Sequence, residues 1–518
     1  MKELPIGVQD FEQIRQDNML YVDKTGRLME LISKGRRYFL SRPRRFGKSL
    51  TLSTLEAMFK GQAELFRGLK AEQWVEEQAK HPLPVLRFDM SGMNASSHQE
   101  LGEALINELE DRGDDYGLEL KTHMNAGRML KSIIRALHKK YGPVVILVDE
   151  YDKPILDNLT NLVGANEMRE VLRSFYAVIK SCDEYLRFVL LTGISKFSKV
   201  GVFSAMNNLN DISSDERYGD IVGYTQQELE DCFDDRITNV SERLEFSREE
   251  IFARLKYYYD GFSFDGVTRL YNPFSILQCL DKASFSNYWY ESGSPSFIVK
   301  WMREHQIQDP EEYRHIVVNG NDFISVQEIE QADAASLLYQ SGYLTIEKKE
   351  EQLLTLDYPN KEVLNSLSSM YLKLIYHVED YALLGNEIWK ALRQSDIDEI
   401  VRLYNIAIAN IAYDDFTSNR NEFWYRSMFV MLLRGAGIIS YSEPHTSKGR
   451  ADVVIQFNNL VVVLEFKFAK DSSEVEKKKL EGLEQLQERG YANSYDAEGR
   501  KVISVVLVAD DLNRQIVI

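Results

Sequence analysis

The chain has 518 residues, of which 44% are apolar and 27% are charged. This composition is ordinary for a soluble globular protein, and it excludes a largely disordered chain, a collagen-like chain and a small domain held together by disulfides. At roughly 150 residues per domain, the length predicts three or four domains.

The charge of the chain is acidic as a whole but basic in places. The 62 Lys and Arg residues against 80 Asp and Glu residues give a net charge of −18. Because phosphate repels net negative charge, this balance argues against a protein that coats DNA non-specifically. It leaves room for a nucleic-acid enzyme with local basic groups, such as the Lys and Arg residues between Lys34 and Lys48, where no acid occurs.

The three cysteines, Cys182, Cys232 and Cys279, lie far apart and form no C-x-x-C pair. We therefore expect reduced thiols in a cytoplasmic protein and no structural zinc site. The sequence has no run of about 18 uncharged apolar residues, and its first residues lack the apolar core of a signal peptide. It thus predicts a protein with no membrane segment.

Residues 1–222 are predicted to form an α/β domain with a parallel sheet. Short apolar runs alternate there with stretches of helical periodicity, which is typical of this fold class. The predicted strands are Tyr38–Ser41, Val85–Met90, Val144–Asp149 and Phe188–Thr192. The predicted helices are Ser49–Lys60, Glu100–Asp111, Ala126–Lys139 and Asn166–Cys182, and Gly61 is expected to end the first of them.

A phosphate-binding loop is predicted between the first strand and the first helix. Gly47, Lys48 and Ser49 stand where a P-loop has its glycine, its phosphate-binding lysine and its Mg²⁺-binding serine. Backbone N–H groups at the start of the helix would face an anion there. The generic motif G-x-x-x-x-G-K-S begins with a glycine, whereas this chain has Arg42. The predicted nucleotide-binding loop consists of Arg45, Phe46, Gly47, Lys48, Ser49 and Leu50.

A second motif, at the end of a buried strand, favours the same interpretation. In VVILVDEYDKP the apolar run ends at Asp149 and Glu150. The aspartate could hold the water shell of a metal ion, and the glutamate could polarise an attacking water molecule. The alternative is an acidic pair that caps a strand at the surface. The coincidence of GKS after one strand and DE after another predicts a nucleotide site.

Polar residues near these motifs leave alternatives open. Thr192 or Ser195, which follow the next strand, could contact a γ-phosphate or could be solvent-facing loop residues. Arg44 and Arg45 could add positive charge beside the phosphates or form a solvated basic turn. The sequence alone identifies no arginine finger.

Residues 223–415 are predicted to be mainly helical. Capping boxes at Thr225–Glu228 and Ser247–Glu250 predict two helix starts. Around Ala334–Leu356 a short helix is followed by two strand-like runs with charged residues between them. That order fits a winged-helix-like part or a spacer between two catalytic units.

Residues 416–518 are predicted to contain a helix, three strands, a helix and a strand. These elements are Glu422–Arg434, Ile438–Tyr441, Ala451–Phe457, Leu460–Phe468, Ser473–Arg489 and Val502–Val508. The two central strands are joined by Asn458-Asn459, a two-residue turn that favours a tight hairpin.

The central strands carry a candidate metal site. Glu465 and Lys467 are two residues apart, so their side chains share one face of a strand, and Asp452 opens the partner strand. Two such carboxylates can hold Mg²⁺, and a lysine can position the attacking water molecule. The alternative is an ordinary salt bridge from Asp452 or Glu465 to Lys467. Glu422 and Gln485, on the flanking helices, could face the same edge or lie on helix surfaces.

Taken together, these motifs resemble a family of bacterial proteins that join an AAA-ATPase-like domain to a PD-(D/E)xK nuclease-superfamily domain. The resemblance covers almost the full length and includes the family's own P-loop form. It rests on the segments YVDKT, SRPRRFGKSL, VDEYD, LTGISKFSK, NNLND, YYYDGF, YNPFSIL, SGYLT, GRADVVI, LEFK and EQLQERGY.

The resemblance implies roles for five C-terminal residues and a restriction-endonuclease-like fold for the last domain. Glu422 matches the acid of the first helix, Asp452 the metal-binding aspartate, Glu465 and Lys467 the E-x-K strand, and Gln485 the second helix. All five positions carry the expected residue types. The resemblance therefore implies a metal-dependent phosphodiesterase site with Asp452 and Glu465 as metal ligands.

The sequence thus predicts an ATP-binding and ATP-hydrolysing protein coupled to a Mg²⁺-dependent nuclease that acts on DNA or RNA, with Mn²⁺ as a second candidate metal. Its architecture suggests a setting in defence against foreign nucleic acid or in nucleic-acid processing. Formation of a homo-oligomer is left open. One alternative is an ATP-dependent regulatory or scaffold protein whose nuclease-like domain binds nucleic acid without cutting it. Another is an ATPase that recruits a partner protein through its helical region.

Overall fold

The fold was obtained as a computed structural model. It describes residues 1–93, 95–120, 124–158, 161–196, 209–291, 310–320, 333–375, 381–411, 420–442, 445–446, 449–489 and 500–518, and the single residues 298, 302, 323, 378 and 495. The chain forms two compact units, which are Met1–Trp301 with His315–Glu362 and Met302–Arg314 with Val363–Ile518. In the described part of the chain, no helix combines the length and the apolar character that a bilayer crossing requires.

The first unit is built on a five-stranded parallel sheet, as the sequence predicted. Its strands are β1 (Arg37–Ser41), β2 (Val85–Asp89), β3 (Val144–Asp149), β4 (Leu186–Gly193) and β5 (Asn210–Asp211). They lie in the order β2-β3-β4-β1-β5. All residues of β3 are buried, which explains its unbroken apolar run, because a parallel sheet is covered on both faces. The short edge strand β5 was not predicted.

Helices cover this sheet and place a helix start beside the end of β1. They are α1 (Phe11–Gln16), α2 (Thr25–Lys34), α3 (Lys48–Lys60), α4 (Glu72–Gln78), α5 (His98–Asp115), α6 (Ala126–Tyr141), α7 (Lys153–Leu156) and α8 (Leu162–Ser181). Leu101, Leu105 and Leu109 recur every fourth residue and join the core that α5 shares with α6 and α8. Gly61 ends α3 in the left-handed conformation with φ 69°, as predicted.

The helical part of the first unit follows the sheet. Its helices are α9 (Gln226–Cys232), α10 (Asp234–Leu244), α11 (Arg248–Tyr259), α12 (Pro273–Lys282) and α13 (Tyr288–Glu291). Both predicted capping boxes are present, at Thr225 with Glu228 and at Ser247 with Glu250. These helices share a second apolar core that also receives Leu4 and Val22 from the start of the chain.

A small antiparallel sheet completes the first unit. Its strands are β6 (Ile316–Asn319), β7 (Thr345–Glu350) and β8 (Leu353–Asp357), in the order β6-β8-β7, and helix α14 (Ala334–Ser341) precedes β7. The predicted helix and hairpin are therefore present. The charged residues that we expected between the strands lie mostly within β7, where only Thr345 and Ile346 are buried and the next four residues are exposed.

The second unit contains helices and a five-stranded mixed sheet. The helices are α15 (Lys361–Met370), α16 (Tyr381–Gln394), α17 (Ile397–Ala409), α18 (Glu422–Gly435) and α19 (Val475–Arg489), with a π-helix at Tyr371–Ile375. The strands are β9 (Ile439–Ser442), β10 (His445–Thr446), β11 (Gly449–Arg450), β12 (Val453–Phe457), β13 (Leu460–Ala469), β14 (Lys501–Asp510) and β15 (Gln515–Val517). β10 and β11 pair separately, and the main sheet has the order β15-β14-β13-β12-β9.

The pairing in this sheet confirms the predicted element order and hairpin. β12 and β13 are antiparallel neighbours joined by Asn458 and Asn459, and Asn458 has the positive φ of 50° that such a turn uses. β13 and β14 are parallel. Helix α19, which connects them, packs on both strands, and a Cβ at Gly482 would lie 2.5 Å from Val506. This close approach explains the glycine in the middle of the helix.

Candidate functional sites

The loop between β1 and α3 has the backbone shape of an anion-binding loop. Arg45 and Gly47 have positive φ angles of 67° and 96°, while the helix begins at Lys48. Alternation of left-handed and right-handed residues at a helix N-terminus turns successive N–H groups to one side, where they can bind phosphate. A non-glycine residue such as Arg45 adopts this conformation only at a cost, so the loop is held in it by the surrounding structure.

A cavity of about 380 Å³ lies beside this loop. Most of the predicted loop residues line it, namely Arg45, Gly47, Lys48, Ser49 and Leu50, and so do Asp149 and Glu150 from the end of β3. Phe46 does not, because its ring is buried against Phe262 and Phe264 at 4.9 and 5.5 Å between centroids. The structure therefore brings the two predicted motifs, GKS and DE, to one cavity.

Lys48 is buried and closes the loop on itself. Its ammonium group donates hydrogen bonds to the carbonyl oxygens of Arg42 and Pro43, both at 2.9 Å. Burial lowers the pKa of Lys48, while the nearby carboxylates of Glu150 and Asp149 act to raise it. A lysine placed between loop carbonyls and acids can turn to a phosphate without leaving the cavity.

The acidic pair occupies two different environments. Asp149 is 2% exposed, and its Oδ1 accepts hydrogen bonds from the Thr192 hydroxyl at 2.7 Å and from the Glu150 N–H at 3.1 Å. Glu150 is half-buried with φ 50°, and burial raises the pKa of its carboxyl group against the opposing effects of Lys48 and Arg44. Thr192 thus orients Asp149. The hydroxyl of Ser195 is also used internally, since it donates to Asp152 at 2.7 Å.

Arg42, which replaces the first glycine of the generic motif, is a core residue. It is 1% exposed, it donates to the carbonyl oxygens of Ser41 and Ser213 at 2.9 and 2.5 Å, and its guanidinium group lies over the ring of Phe264 at 4.4 Å. Burial lowers the pKa of Arg42 to about 10. The residue therefore anchors the base of the phosphate-binding loop to the segments that contain Ser213 and Phe264.

We expect Arg42→Ala to destabilise the first unit by about 2–5 kcal/mol, because it leaves a cavity and removes buried hydrogen bonds. The loss should appear as a lower melting temperature by circular dichroism and as weaker nucleotide binding. Arg36→Ala, at an exposed position ahead of β1, is the matched control and should change neither quantity. Unchanged stability in Arg42→Ala would contradict the anchoring role.

In the second unit, the E-x-K strand and its neighbour bring three of the predicted residues together. The Lys467 ammonium group donates to Glu465 Oε1 at 2.7 Å and to the Phe466 carbonyl oxygen at 2.9 Å. Asp452 Oδ2 accepts a hydrogen bond from the Phe466 N–H at 2.7 Å. This contact follows from the strand register, in which Val453 pairs with Leu464. Continuing that antiparallel register by one residue places Asp452 opposite Glu465. The predicted salt-bridge alternative is thus also realised, between Glu465 and Lys467.

Glu465 has the properties of a candidate metal ligand. Its side chain is 1% exposed, and its Oε2 has no hydrogen-bond partner among the described residues. Burial, and then the neighbouring charge of Asp452, raise the pKa of Glu465 to about 7. A buried oxygen without a partner is costly, so the residues present fit a divalent cation held by Glu465 and Asp452.

Glu422 belongs to the same electrostatic environment, whereas Gln485 shows no direct contact with it. Burial raises the pKa of Glu422, Lys467 acts to lower it and Asp452 to raise it. The carboxylates of Glu422, Asp452 and Glu465 do not all lie within 4.8 Å of one another. In the described part of the chain, the three residues that meet this criterion are His315, Glu347 and Asp357. Gln485 is half-buried on α19, and no hydrogen bond joins it to Glu422, Asp452, Glu465 or Lys467 in the described residues.

Comparisons with known proteins identify the same two kinds of domain. A family model described as a predicted AAA-ATPase matches residues 5–203, and a model of the PD-(D/E)XK nuclease superfamily matches residues 420–517. A protein of Azotobacter chroococcum mcd 1, described as an uncharacterized protein in the vnfD 5′ region, is 37% identical over 512 residues, which are 97% of this chain and 95% of that protein.

The chain belongs to the family of this Azotobacter protein. It joins an AAA-ATPase-like domain to a PD-(D/E)XK nuclease-superfamily domain, and domains of these two kinds generally use nucleotides and divalent metal ions.

Two solved structures of the Aeropyrum pernix ORC2 protein are also similar. Its ADPNP–ADP complexes match with 13% identity and a TM-score of 0.28 over 81% of this chain and 85% of that chain. Its ADP form matches with 12% identity and a TM-score of 0.27 over 67% of this chain and 92% of that chain. Likenesses with such low TM-scores support no inference about this protein.

In the AAA-ATPase-like domain, sequence reasoning missed the residues that close the cavity away from the phosphate loop. They come from the start of the chain and from the helical part, and they include Pro5, Val8, Tyr224, Pro273, Phe274 and Leu277. The resemblance to the family included the segment YNPFSIL, which contains Pro273, Phe274 and Leu277, but it assigned no role to these residues. Residues so distant in sequence meet only because the helical part packs on the start of the chain.

In the nuclease-superfamily domain, sequence reasoning missed Arg426. Its Nη1 lies 3.2 Å from Asp452 Oδ1, and both side chains are largely buried, at 9% and 16% exposed. Arg426 stands one helical turn after Glu422 on α18, so the i, i+4 spacing could have suggested a shared face. The candidate metal aspartate is therefore paired with an arginine.

We expect Arg426→Gln to raise the affinity for Mn²⁺ by about tenfold, because a charge-assisted hydrogen bond to Asp452 would no longer compete with the metal. Titration calorimetry with Mn²⁺ measures this directly. Arg402→Gln, at a pair on the surface of α17, is the control and should bind Mn²⁺ like the wild type. A loss of affinity in Arg426→Gln would mean that Arg426 holds Asp452 ready for the metal rather than competing with it.

Proposed function

We propose that this protein binds and hydrolyses ATP in its AAA-ATPase-like domain and cleaves phosphodiester bonds of DNA or RNA in its nuclease-superfamily domain with Mg²⁺ or Mn²⁺. The observation that carries the ATPase half is the single cavity shared by Lys48, Ser49, Asp149 and Glu150. Its volume of about 380 Å³ is in the range of small-molecule sites, and it adjoins an anion-binding loop.

The residues of this cavity divide the work of phosphoryl transfer between them. Backbone N–H groups around Gly47 and the ammonium group of Lys48 would bind the phosphates. Ser49 and Asp149 would hold the cation that accompanies ATP, with Asp149 kept in place by Thr192. Glu150 would take a proton from the attacking water molecule, a role that its raised pKa suits because burial makes the carboxylate a stronger base.

The nuclease half is carried by Glu465, whose Oε2 has no hydrogen-bond partner in the described part of the chain, beside Asp452. A bound divalent cation would lower the pKa of a coordinated water molecule and offset phosphate charge. Asp452 and Glu465 would hold it, and Lys467 would release its hydrogen bond to Glu465 to orient the nucleophile. Glu422 would contribute a further carboxylate. Defence or nucleic-acid processing is the setting that fits such a pair of domains.

One observation favours the second candidate, an ATP-dependent regulatory or scaffold protein that binds nucleic acid without cutting it. Both metal-site carboxylates are already paired with cations, Asp452 with Arg426 and Glu465 with Lys467. Such internal ion pairs can satisfy the site without a metal.

The experiment that tests the proposal uses the purified full chain. ATP binding and phosphate release are measured for the wild type and Lys48→Ala, and a panel of labelled single- and double-stranded DNA and RNA is incubated with Mg²⁺ or Mn²⁺ and the wild type or Asp452→Ala. We expect turnover that requires Lys48 and cleavage that requires Asp452. Nucleic-acid binding without cleavage, equal in both proteins, would establish the second candidate, and the absence of ATP binding would refute the ATPase half.

A further inference from the structure

Asp152 is a buried carboxylate that the mechanism above does not use. It lies two residues after Glu150, it is 0% exposed, and it does not line the cavity of about 380 Å³. Its Oδ2 accepts hydrogen bonds from the Ser195 N–H at 2.7 Å, the Ser195 hydroxyl at 2.7 Å and the Ile194 N–H at 3.2 Å. All three donors belong to the segment that leaves β4.

These bonds are part of a clamp between the ends of two neighbouring strands. Beside them, the Tyr151 N–H donates to the carbonyl oxygen of Thr192 at 2.9 Å, and the Tyr151 hydroxyl donates to the carbonyl oxygen of Ser195 at 3.1 Å. Gly193 completes the clamp, because a Cβ there would lie 2.6 Å from the Tyr151 ring and 2.7 Å from Asp152 Oδ1. The segments 149–152 and 192–195 are therefore held as one piece.

Glu150 lies inside this clamp in a backbone conformation that it would not keep by itself. Its φ of 50° is in the left-handed region, which is strained for glutamate. On one side its N–H is bound by Asp149 Oδ1 at 3.1 Å, and on the other side Tyr151 and Asp152 are fixed to the end of β4. The direction of the Glu150 side chain thus depends on bonds that Asp152 makes.

We infer that Asp152 is a positioning residue for ATP hydrolysis, which fixes Glu150 and the Thr192-bound Asp149 relative to each other without touching the nucleotide. The inference rests on the proposed ATPase function. Among the described residues no salt bridge joins Asp152 to a basic side chain, and burying such a carboxylate costs stability. The three backbone and hydroxyl donors aimed at it specify one geometry of the two segments. The hydrogen bonds of the Lys48 ammonium group go to the loop carbonyl oxygens of Arg42 and Pro43, and those of Asp152 come from the end of β4.

The test is Asp152→Asn in the full chain, with Asp111→Asn on the exposed face of α5 as the matched control. The amide keeps the shape of the side chain, but its single oxygen can accept from only two of the three donors. We expect ATP affinity within about threefold of the wild type and a kcat at least about tenfold lower. Since Asp152 would act through Glu150, adding Asp152→Asn to Glu150→Gln should lower kcat by less than about threefold further.

Ser195→Ala keeps the inference testable if Asp152→Asn does not fold, because it removes one donor and leaves both N–H groups. We expect it to fold, to lower kcat about three- to tenfold and to leave the ATP affinity unchanged. Wild-type kcat in either folded variant would overturn the inference, as would a parallel loss of kcat and ATP affinity. A wild-type protein that neither binds nor hydrolyses ATP would instead refute the proposed function.

Discussion

A Glu150→Gln variant is expected to bind ATP at least as tightly as the wild type and to hydrolyse it at least about 100-fold more slowly. Glutamine has nearly the same shape and can line the same cavity, but it cannot take a proton from water, and a general base contributes about 10²- to 10⁴-fold. Loss of the carboxylate also removes repulsion between Glu150 and the phosphates. Binding is measured with a fluorescent nucleotide and turnover by phosphate release.

The pH dependence provides a second measurement of the same residue. Burial raises the pKa of Glu150, and the base is active only when it is ionised. Turnover by the wild type should therefore rise with pH over a range above the ordinary titration of glutamate, and the residual rate of Glu150→Gln should lack this rise. Glu103→Gln, exposed on α5, is the matched control. A Glu150→Gln variant with wild-type turnover would show that another group activates the water.

Glu465→Gln is expected to abolish the effect of a divalent metal on the stability of the nuclease-superfamily domain. A ligand at 100 times its Kd stabilises the folded state by about 2.7 kcal/mol, and the variant loses the buried carboxylate that would bind it. Hydrogen exchange of the β13 amides, measured without nucleotide, reports on this site separately from the first unit. We expect Mn²⁺ to slow exchange in the wild type and to leave Glu465→Gln unchanged. Phosphodiester cleavage should fall at least about 100-fold.

Without metal, the same substitution should stabilise the domain at alkaline pH. The pKa of Glu465 is raised from its ordinary value of 4.5 to about 7 in the folded protein. The folded state therefore binds more protons than the unfolded state between these values, so stability falls as pH rises through this range and levels off above about pH 7. Glutamine carries no charge to bury, and we expect a gain of about 1 kcal/mol at pH 8, less than the full shift implies because the bond to Lys467 is also lost.

The metal affinity of the wild type should follow the same titration. Because the ligand must be ionised, the apparent affinity for Mn²⁺ should rise with pH up to about 8 and then level off. Glu476→Gln, on the exposed start of α19, is the control for both measurements. A Glu465→Gln variant whose β13 amides respond to Mn²⁺ like those of the wild type would exclude Glu465 as a ligand.

Local patterns predicted much of the architecture. The unbroken apolar run of β3, the capping boxes at Thr225 and Ser247 and the turn at Asn458 each act within a few residues, so each is readable from the chain. The short strand β5 was missed because two residues carry no periodicity. The charged stretch Lys348–Glu350 looked like a turn, but it pairs with β8 because an edge strand tolerates solvent-facing charges.

The candidate sites divide in the same way. The side chains of Lys48, Asp149, Glu150 and Lys467 could be assigned to sites because strand ends and strand alternation fix where they point. Other contacts could not be predicted, because they join residues far apart in sequence. They are the pairing of Arg426 with Asp452, the packing of Arg42 over Phe264 and the apolar wall of the cavity.

By itself, the sequence determined which residues are candidates for the chemistry and which strand, helix or strand end each one belongs to, since hydrogen bonding and burial set those periodicities over short distances. Only the tertiary structure decided what each of these groups meets. It set the positive φ of Glu150 between two strand ends, the pairing of Asp452 with Arg426 and the burial of the Glu465 carboxylate beside Lys467. The physical reason is that charge, burial and hydrogen bonding at a site depend on neighbours in space, which the order of residues along the chain does not specify.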